Sequence, residues 1–176
     1  MVSEASSWAL QVLAAVSNPT DPCRQEILNC SGLVVMMDMV VHRSPPDTNK
    51  RHCVCCMYNL ALGSELVKDL FANDRPFTEA LLEHLADSTM RSTSAILLAL
   101  MSAGSEDRKD ALSDAGAIET ISDTLVNLPD AELITKAPLA SCLRKLLEDD
   151  DERARKLQQN SLTVSKLSLI GYASIH

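Results

Sequence analysis

The feature that most constrains this chain is a self-similar pattern that returns after 42 to 45 residues. The stretch CRQEILNCSGLVVMMDMVVHRSPPD (23–47) is similar to EDRKDALSDAGAIETISDTLVNLPD (106–130). In each stretch an Arg precedes a Gly by eight residues, and the apolar run that follows the Gly ends near a Pro. These pairs are Arg24 with Gly32 and Arg108 with Gly116. A period of this length is typical of proteins that stack one small helical unit many times.

Two further copies lack the Gly. In SELVKDLFANDRPFTEALLEHLADS (64–88) the tetrapeptide 73–76, Asn-Asp-Arg-Pro, takes its place, and in DERARKLQQNSLTVSKLSLIGY (151–172) Arg153 lies eight residues before Ser161. The markers Gly32, Asp74, Gly116 and Ser161 are therefore 42, 42 and 45 residues apart. The constant period weighs against the simplest alternative, a generic helical bundle whose helices happen to have similar lengths.

Longer helical stretches separate the copies. They cover 49–63, 89–104 and 131–149, and the opening stretch 3–19 matches the same type. Each unit is predicted to contain a short helix, a medium helix and a long helix. Gly or a polar residue at the first turn would let the backbone adopt the left-handed conformation that ends the short helix, and Pro or Asp at the second turn would stop the medium helix. The predicted units are 1–19 (partial), 22–63, 64–104, 106–149 and 151–176 (partial), in a single domain 1–176.

Two stretches resemble the armadillo repeat family. DAGAIETISDTLVNL (114–128) is similar to the segment in which the family's first helix turns into its second, and CMYNLALG (56–63) is similar to the end of its third helix. The resemblance implies an all-α fold: an armadillo-like, right-handed superhelical solenoid of about three full repeats with partial terminal repeats. Closely related HEAT-type repeats stay open for the units 64–104 and 151–176, which lack the Gly at the first turn.

Composition limits the partners. The net charge is −8, with 24 acidic and 16 basic residues, and no basic stripe is present for binding phosphates, so nucleic acid is not an expected partner. No apolar run approaches the roughly 20 residues that span a bilayer, and no basic segment precedes the first apolar residues as in a signal peptide. The spacing of the six Cys does not suggest a disulfide framework. We expect a cytoplasmic protein, with the nucleus or the cytoskeleton as alternative locations.

The segment HCVCC (52–56) is the main candidate for chemistry. On a helix, His52, Cys53 and Cys56 would lie on neighbouring positions, but zinc sites usually need a fourth ligand from a second pair. Because Cys packs as a small hydrophobic residue, we interpret the cluster as core and expect no metal or cofactor. No nucleophile–base pair or Gly-rich phosphate loop is recognisable, so catalysis is not expected.

The armadillo resemblance implies a binding face on the long helices, which line the concave surface in that family. Asn59 matches the position of the family's peptide-binding Asn, but the Trp that lies one turn earlier in the family is Cys55 here. The absent Trp ladder weighs against binding of basic localisation peptides as in importins. The candidate partner-binding residues are Asn59, Cys55, His52 and Lys145.

These observations predict a non-catalytic adaptor or scaffold that binds a peptide or protein partner through the concave groove or an exposed repeat end. The alternative is a self-associating structural module of a cytoskeletal, ciliary or centrosomal, or signalling protein. In that case two copies would form a homodimer through exposed apolar ends, such as the stretch LTVSKLSLI (162–170).

Overall fold

Helices make up the regular structure of the described residues. A computed structural model describes residues 23–29, 31–42, 47–129, 132–148 and 153–155, and these ranges contain no strand. The predicted all-α class is therefore confirmed. The partial unit 1–19 and the apolar stretch 162–170 lie outside the described residues.

The described helices form three groups of three. In the first and third groups their order is short, medium, long, whereas the first two helices of the second group have nine residues each. The first group is α1 (Cys23–Asn29), α2 (Gly32–Val41) and α3 (Asp47–Ala61). The second group is α4 (Glu65–Asn73), α5 (Arg75–Glu83), which continues into a 3-10 turn (His84–Ala86), and α6 (Arg91–Met101). The third group is α7 (Glu106–Asp114), α8 (Ala117–Asn127) and α9 (Leu133–Leu147), and residues 153–155 are also helical. All three predicted long helices form, although α6 has 11 residues and is no longer than α8.

Helices in corresponding places pack on one another. α6 packs against both α3 and α9, α5 packs against α2 and α8, and α4 packs against α7. Their contacts enclose one cluster of buried apolar side chains that runs through all three groups, from Val40 and Met57 through Phe71 and Leu98 to Leu125. Burial of apolar side chains between helix layers is the main stabilising contribution in such a fold.

The first turn of each group departs from the prediction in two of three cases. Gly116 has φ 86° and ends α7 as expected. The prediction is wrong for Gly32, because Ser31 takes the left-handed conformation (φ 57°) and Gly32 is already helical. A Cβ at Gly32 would lie 2.9 Å from the carbonyl oxygen of Ile27, so this Gly permits a close approach of α2 to α1. The prediction is also wrong for Asp74, which has φ −86° and accepts a hydrogen bond (3.0 Å) from the backbone N–H of Phe77 as an N-cap.

Two of the repeated arginines link consecutive groups. Arg108 on α7 is buried, and its guanidinium donates to Asp69 and Glu65 on α4 and to the carbonyl oxygen of Ala103 after α6. Arg153 repeats this arrangement, with the residues Glu106, Asp110 and the carbonyl oxygen of Leu146 as acceptors. Each arginine therefore satisfies a carbonyl near the end of a long helix while bonding to the short helix of the preceding group.

Candidate partner-binding face

Three of the four predicted binding residues share one side of α3. His52, Cys55 and Asn59 are separated by three and four residues, which places them above one another on a helix. All three are partly exposed, whereas Cys53 and Cys56 between them are fully buried. The Nδ1 atom of His52 is buried without a hydrogen-bond partner. This side of α3, together with the partly exposed sides of α6 and α9, is called the long-helix face below.

Lys145, the fourth predicted residue, lies on α9. α3 and α9 each have 15 residues, and Asn59 and Lys145 occupy the same place in them when both are counted from their first residues. α6 packs between these two helices, so Lys145 is separated from the other three residues by α6. The Nζ atom of Lys145 donates a hydrogen bond (3.2 Å) to the carbonyl oxygen of Ala99 on α6. This contact gives Lys145 a role in holding α9 against α6.

A second contact fixes the other end of the α6–α9 pair. The guanidinium of Arg91 at the start of α6 lies 3.2 Å from the carboxylate of Glu132, the residue that precedes α9. Arg91 also donates to the carbonyl oxygens of Leu85 (2.7 Å) and Ala86 (3.2 Å). These two contacts therefore tie α6 and α9 together near both ends of the pair.

The thiols near this face are poor nucleophiles. Burial raises the pKa of Cys53 to about 12, with a smaller contribution from the neighbouring Cys56. Burial also raises the pKa of Cys55, partly opposed by the positive charge of Arg51, and it raises the pKa of Cys142 on α9 to about 11. Since the thiolate is both the nucleophile and the metal ligand, these thiols are suited to packing rather than to chemistry at neutral pH.

Two other kinds of site are not found in the part of the chain that the structure describes. No group of three or more His, Cys, Asp or Glu side chains in these ranges is arranged to hold a metal ion. No helix in them has the length and apolar character needed to cross a membrane.

Sequence reasoning missed two features near this face. It did not identify the ion pair of Arg91 with Glu132, although both residues stand at the start of a predicted long helix. It also missed the exposed apolar pair Leu133 and Ile134 at the start of α9, which are 67% and 77% accessible. No signal in the sequence separates this pair from consecutive apolar residues that are buried, such as Leu97 and Leu98.

Comparisons with known proteins give a fold but no family. No protein-family model matches the chain, and no curated protein matches it. Among solved structures, the chain is similar to the crystal structure of an engineered protein, a target of the Northeast Structural Genomics Consortium, with a TM-score of 0.77 and 18% identity. The similarity covers 96% of this chain but only 66% of the engineered protein, so the chain spans less than two thirds of that protein's length. At this level of identity the similarity concerns the fold alone.

Proposed function

We propose that this chain is a non-catalytic, armadillo-like protein-interaction module, an adaptor that binds a peptide or protein partner on its long-helix face. The observation that supports this most is the packing of α6 against both α3 and α9, because a stack of corresponding helices builds an extended surface from repeated units. Solenoid proteins use such surfaces for binding.

The chemistry of the face fits an adaptor better than an enzyme. His52, Cys55 and Asn59 offer a mixture of polar and apolar groups on α3, and the thiol of Cys55 is held in its protonated form by the raised pKa. The contacts of Lys145 with Ala99 and of Arg91 with Glu132 hold the surface in one arrangement. The net charge of −8 favours a protein partner with basic groups over nucleic acid.

Photo-crosslinking would test the proposal. A benzoylphenylalanine placed at Cys55 on the long-helix face would be compared with one placed at Glu119, an exposed residue of α8. In native extract the residue at position 55 is expected to crosslink a partner that the residue at position 119 does not reach. Capture of the same proteins at both positions, or of none at position 55 by a chain that co-precipitates a partner, would contradict the proposal.

Self-association is the second candidate, and the exposure of Leu133 and Ile134 favours it. An exposed apolar pair on the last described long helix is a surface on which a second copy can pack. In this case light scattering of the purified chain would show a dimer, and the double substitution Leu133→Ala with Ile134→Thr would return it to a monomer.

A further inference from the structure

A second surface, distinct from the long-helix face, lies where α2 meets α4 and the start of α5. It is a groove of about 450 Å³, called the α2–α4 groove below. Its lining includes Val34, Met37, Asp38 and Val41 from α2, Leu70 from α4, and Asp74, which precedes α5. Val34 and Leu70 are 65% and 49% accessible, while the side chain of Met37 is buried. The groove therefore presents apolar side chains from two different helices to solvent.

The corresponding positions of the third helix group carry polar or small residues. Val34 is the third residue of α2, and the third residue of α8 is Glu119. Leu70 is the sixth residue of α4, and the sixth residue of α7 is Ala111. Because both helices of the third group do without these large apolar side chains, the repeated fold does not require them. Exposed apolar surface that the fold does not need is typical of an interaction site.

The charged groups at the groove are acidic. Asp38 and Asp74 line it, and none of its described lining residues is a Lys or Arg. The imidazole of His42 lies 2.9 Å from the carboxylate of Asp38, on the same helix end. The nearest arginine in sequence to Asp74, Arg75, is bonded to Glu79 at 2.7 Å. The groove thus combines an apolar floor with a negatively charged rim, in a chain whose net charge is −8.

We propose that the α2–α4 groove binds an amphipathic helix of a partner protein whose polar side carries Lys or Arg. The apolar side of that helix contacts Val34 and Leu70, and its basic residues lie beside Asp38 and Asp74. Helix-in-groove binding of this kind recognises apolar residues of the bound helix that are spaced three and four positions apart. A second copy of this chain fits less well, because a two-fold contact brings the same surface of both copies together and would place these carboxylates near one another. The proposal goes beyond the adaptor function assigned to the long-helix face and does not depend on it.

The test uses a designed peptide as the probe. A fluorescent peptide of about 18 residues, five helical turns, carries Leu on one side and Lys on the other, and a matched peptide carries Glu in place of every Lys. The Leu–Lys peptide is expected to bind and the Leu–Glu peptide is not. The double substitution Val34→Thr with Leu70→Ala changes no charge and is expected to weaken binding of the Leu–Lys peptide about tenfold, because it removes the apolar contact.

A matched control lies on the same two helices. Val35→Thr with Leu66→Ala makes the same two changes at exposed positions that do not line the groove, and we expect it to leave binding unchanged. Asp38→Asn with Asp74→Asn removes the charge of the rim while Asn can still cap α5, and it is expected to weaken binding and reduce its dependence on salt. Circular dichroism would verify that each variant is folded.

Three results would overturn the proposal. The first is unchanged binding by the folded groove variant, and the second is equal binding of the Leu–Glu peptide. The third is a wild-type dimer that the groove variant converts to a monomer, since a second copy would then occupy the groove. Because the peptide assay reports on the groove and the crosslinking at Cys55 reports on the long-helix face, failure of one is distinguishable from failure of the other.

Discussion

The guanidinium of Arg108 lies 2.7 Å from the carboxylate of Glu65, a residue 43 positions earlier in the chain. The same relationship joins Arg153 to Glu106 at 3.2 Å, across 47 positions. In both cases the arginine is buried and the carboxylate is largely exposed. The repeat therefore contains a recurring ion pair that links each of these short helices to the one before it.

Replacing Arg108 by Met should destabilise the chain by about 1–3 kcal/mol, because the carbonyl oxygen of Ala103 then has no donor from this side chain. Met retains much of the aliphatic volume, and Glu65 and Asp69 are exposed enough to be hydrated, so complete loss of folding is not expected. Urea unfolding followed by circular dichroism would measure the change. The control is Arg75→Met, which removes an exposed arginine bonded to Glu79 and should leave the midpoint unchanged. Equal effects of the two substitutions would contradict the inference that the buried contacts of Arg108 stabilise the chain.

Stability should fall as the solution is acidified. Hydrogen bonds from Lys68 and then Arg108 hold the pKa of Glu65 below its ordinary value of 4.5. Those from Lys109 and Arg153 lower the pKa of Glu106 in the same way, with burial opposing them. A lowered folded-state pKa means that the unfolded chain binds more protons, so this stabilisation is complete above the ordinary pKa and is lost as the pH falls through the folded pKa.

Thermal unfolding at a series of pH values would measure this loss, which is expected to begin at about pH 5 and to continue downward. The double substitution Glu65→Gln with Glu106→Gln should make the melting temperature less dependent on pH in this range. Glu119→Gln, which removes a charge from the exposed side of α8, serves as the control. A double variant with the same acid dependence as the wild type would show that these two carboxylates are not responsible.

Much of this fold could be predicted from the sequence because the repeat fixes where helices begin and end. The long helices α6 and α9 form within the predicted stretches 89–104 and 131–149, whereas α3 begins two residues before the predicted stretch 49–63. Gly116 has the expected positive φ. The period did not predict which residue of each turn takes the left-handed conformation. Gly32 was matched to Gly116 by its distance from an Arg, but α2 begins one residue earlier than that alignment requires, with Ser31 in the left-handed conformation.

The candidate site was harder to predict. His52, Cys55 and Asn59 lie on one side of α3, and this follows from their spacing within a single helix. The hydrogen bond of Lys145 to Ala99 and the α2–α4 groove depend on contacts between helices that are distant in sequence. Residue types alone do not determine such contacts. Whether the four predicted residues bind a partner stays a prediction.

The described thiols should differ in reactivity. In a chain carrying Cys23→Ser and Cys30→Ser, the partly exposed Cys55 is expected to react first with Ellman's reagent at pH 8. Cys53 and Cys142 should react only after unfolding in urea, because burial raises their pKa values to about 12 and about 11 and keeps the thiolate scarce. Mass spectrometry of the labelled peptides would identify the order. Rapid native labelling of Cys142 would show that α9 separates from α6 more readily than its packing suggests.

Two glycines with positive φ should respond differently to the same substitution. Gly116→Ala should lower the free energy of unfolding by about 1–2 kcal/mol, because the left-handed conformation is strained for Ala. The added Cβ itself has no neighbouring atom within 4 Å. Gly104→Ala should cost more, because its Cβ would also lie 2.8 Å from an Nη atom of Arg108. That guanidinium is buried and bonded to three acceptors, so it cannot move without weakening those bonds.

A double-mutant cycle isolates this second cost. In the Arg108→Met background the guanidinium is absent, and the excess cost of Gly104→Ala over Gly116→Ala should disappear. The coupling energy between positions 104 and 108 is expected to be about 1 kcal/mol by urea unfolding, and the coupling between positions 116 and 108 should be close to zero. Equal couplings would mean that Gly104 is required only for its backbone conformation and that the position of the Arg108 guanidinium does not depend on it.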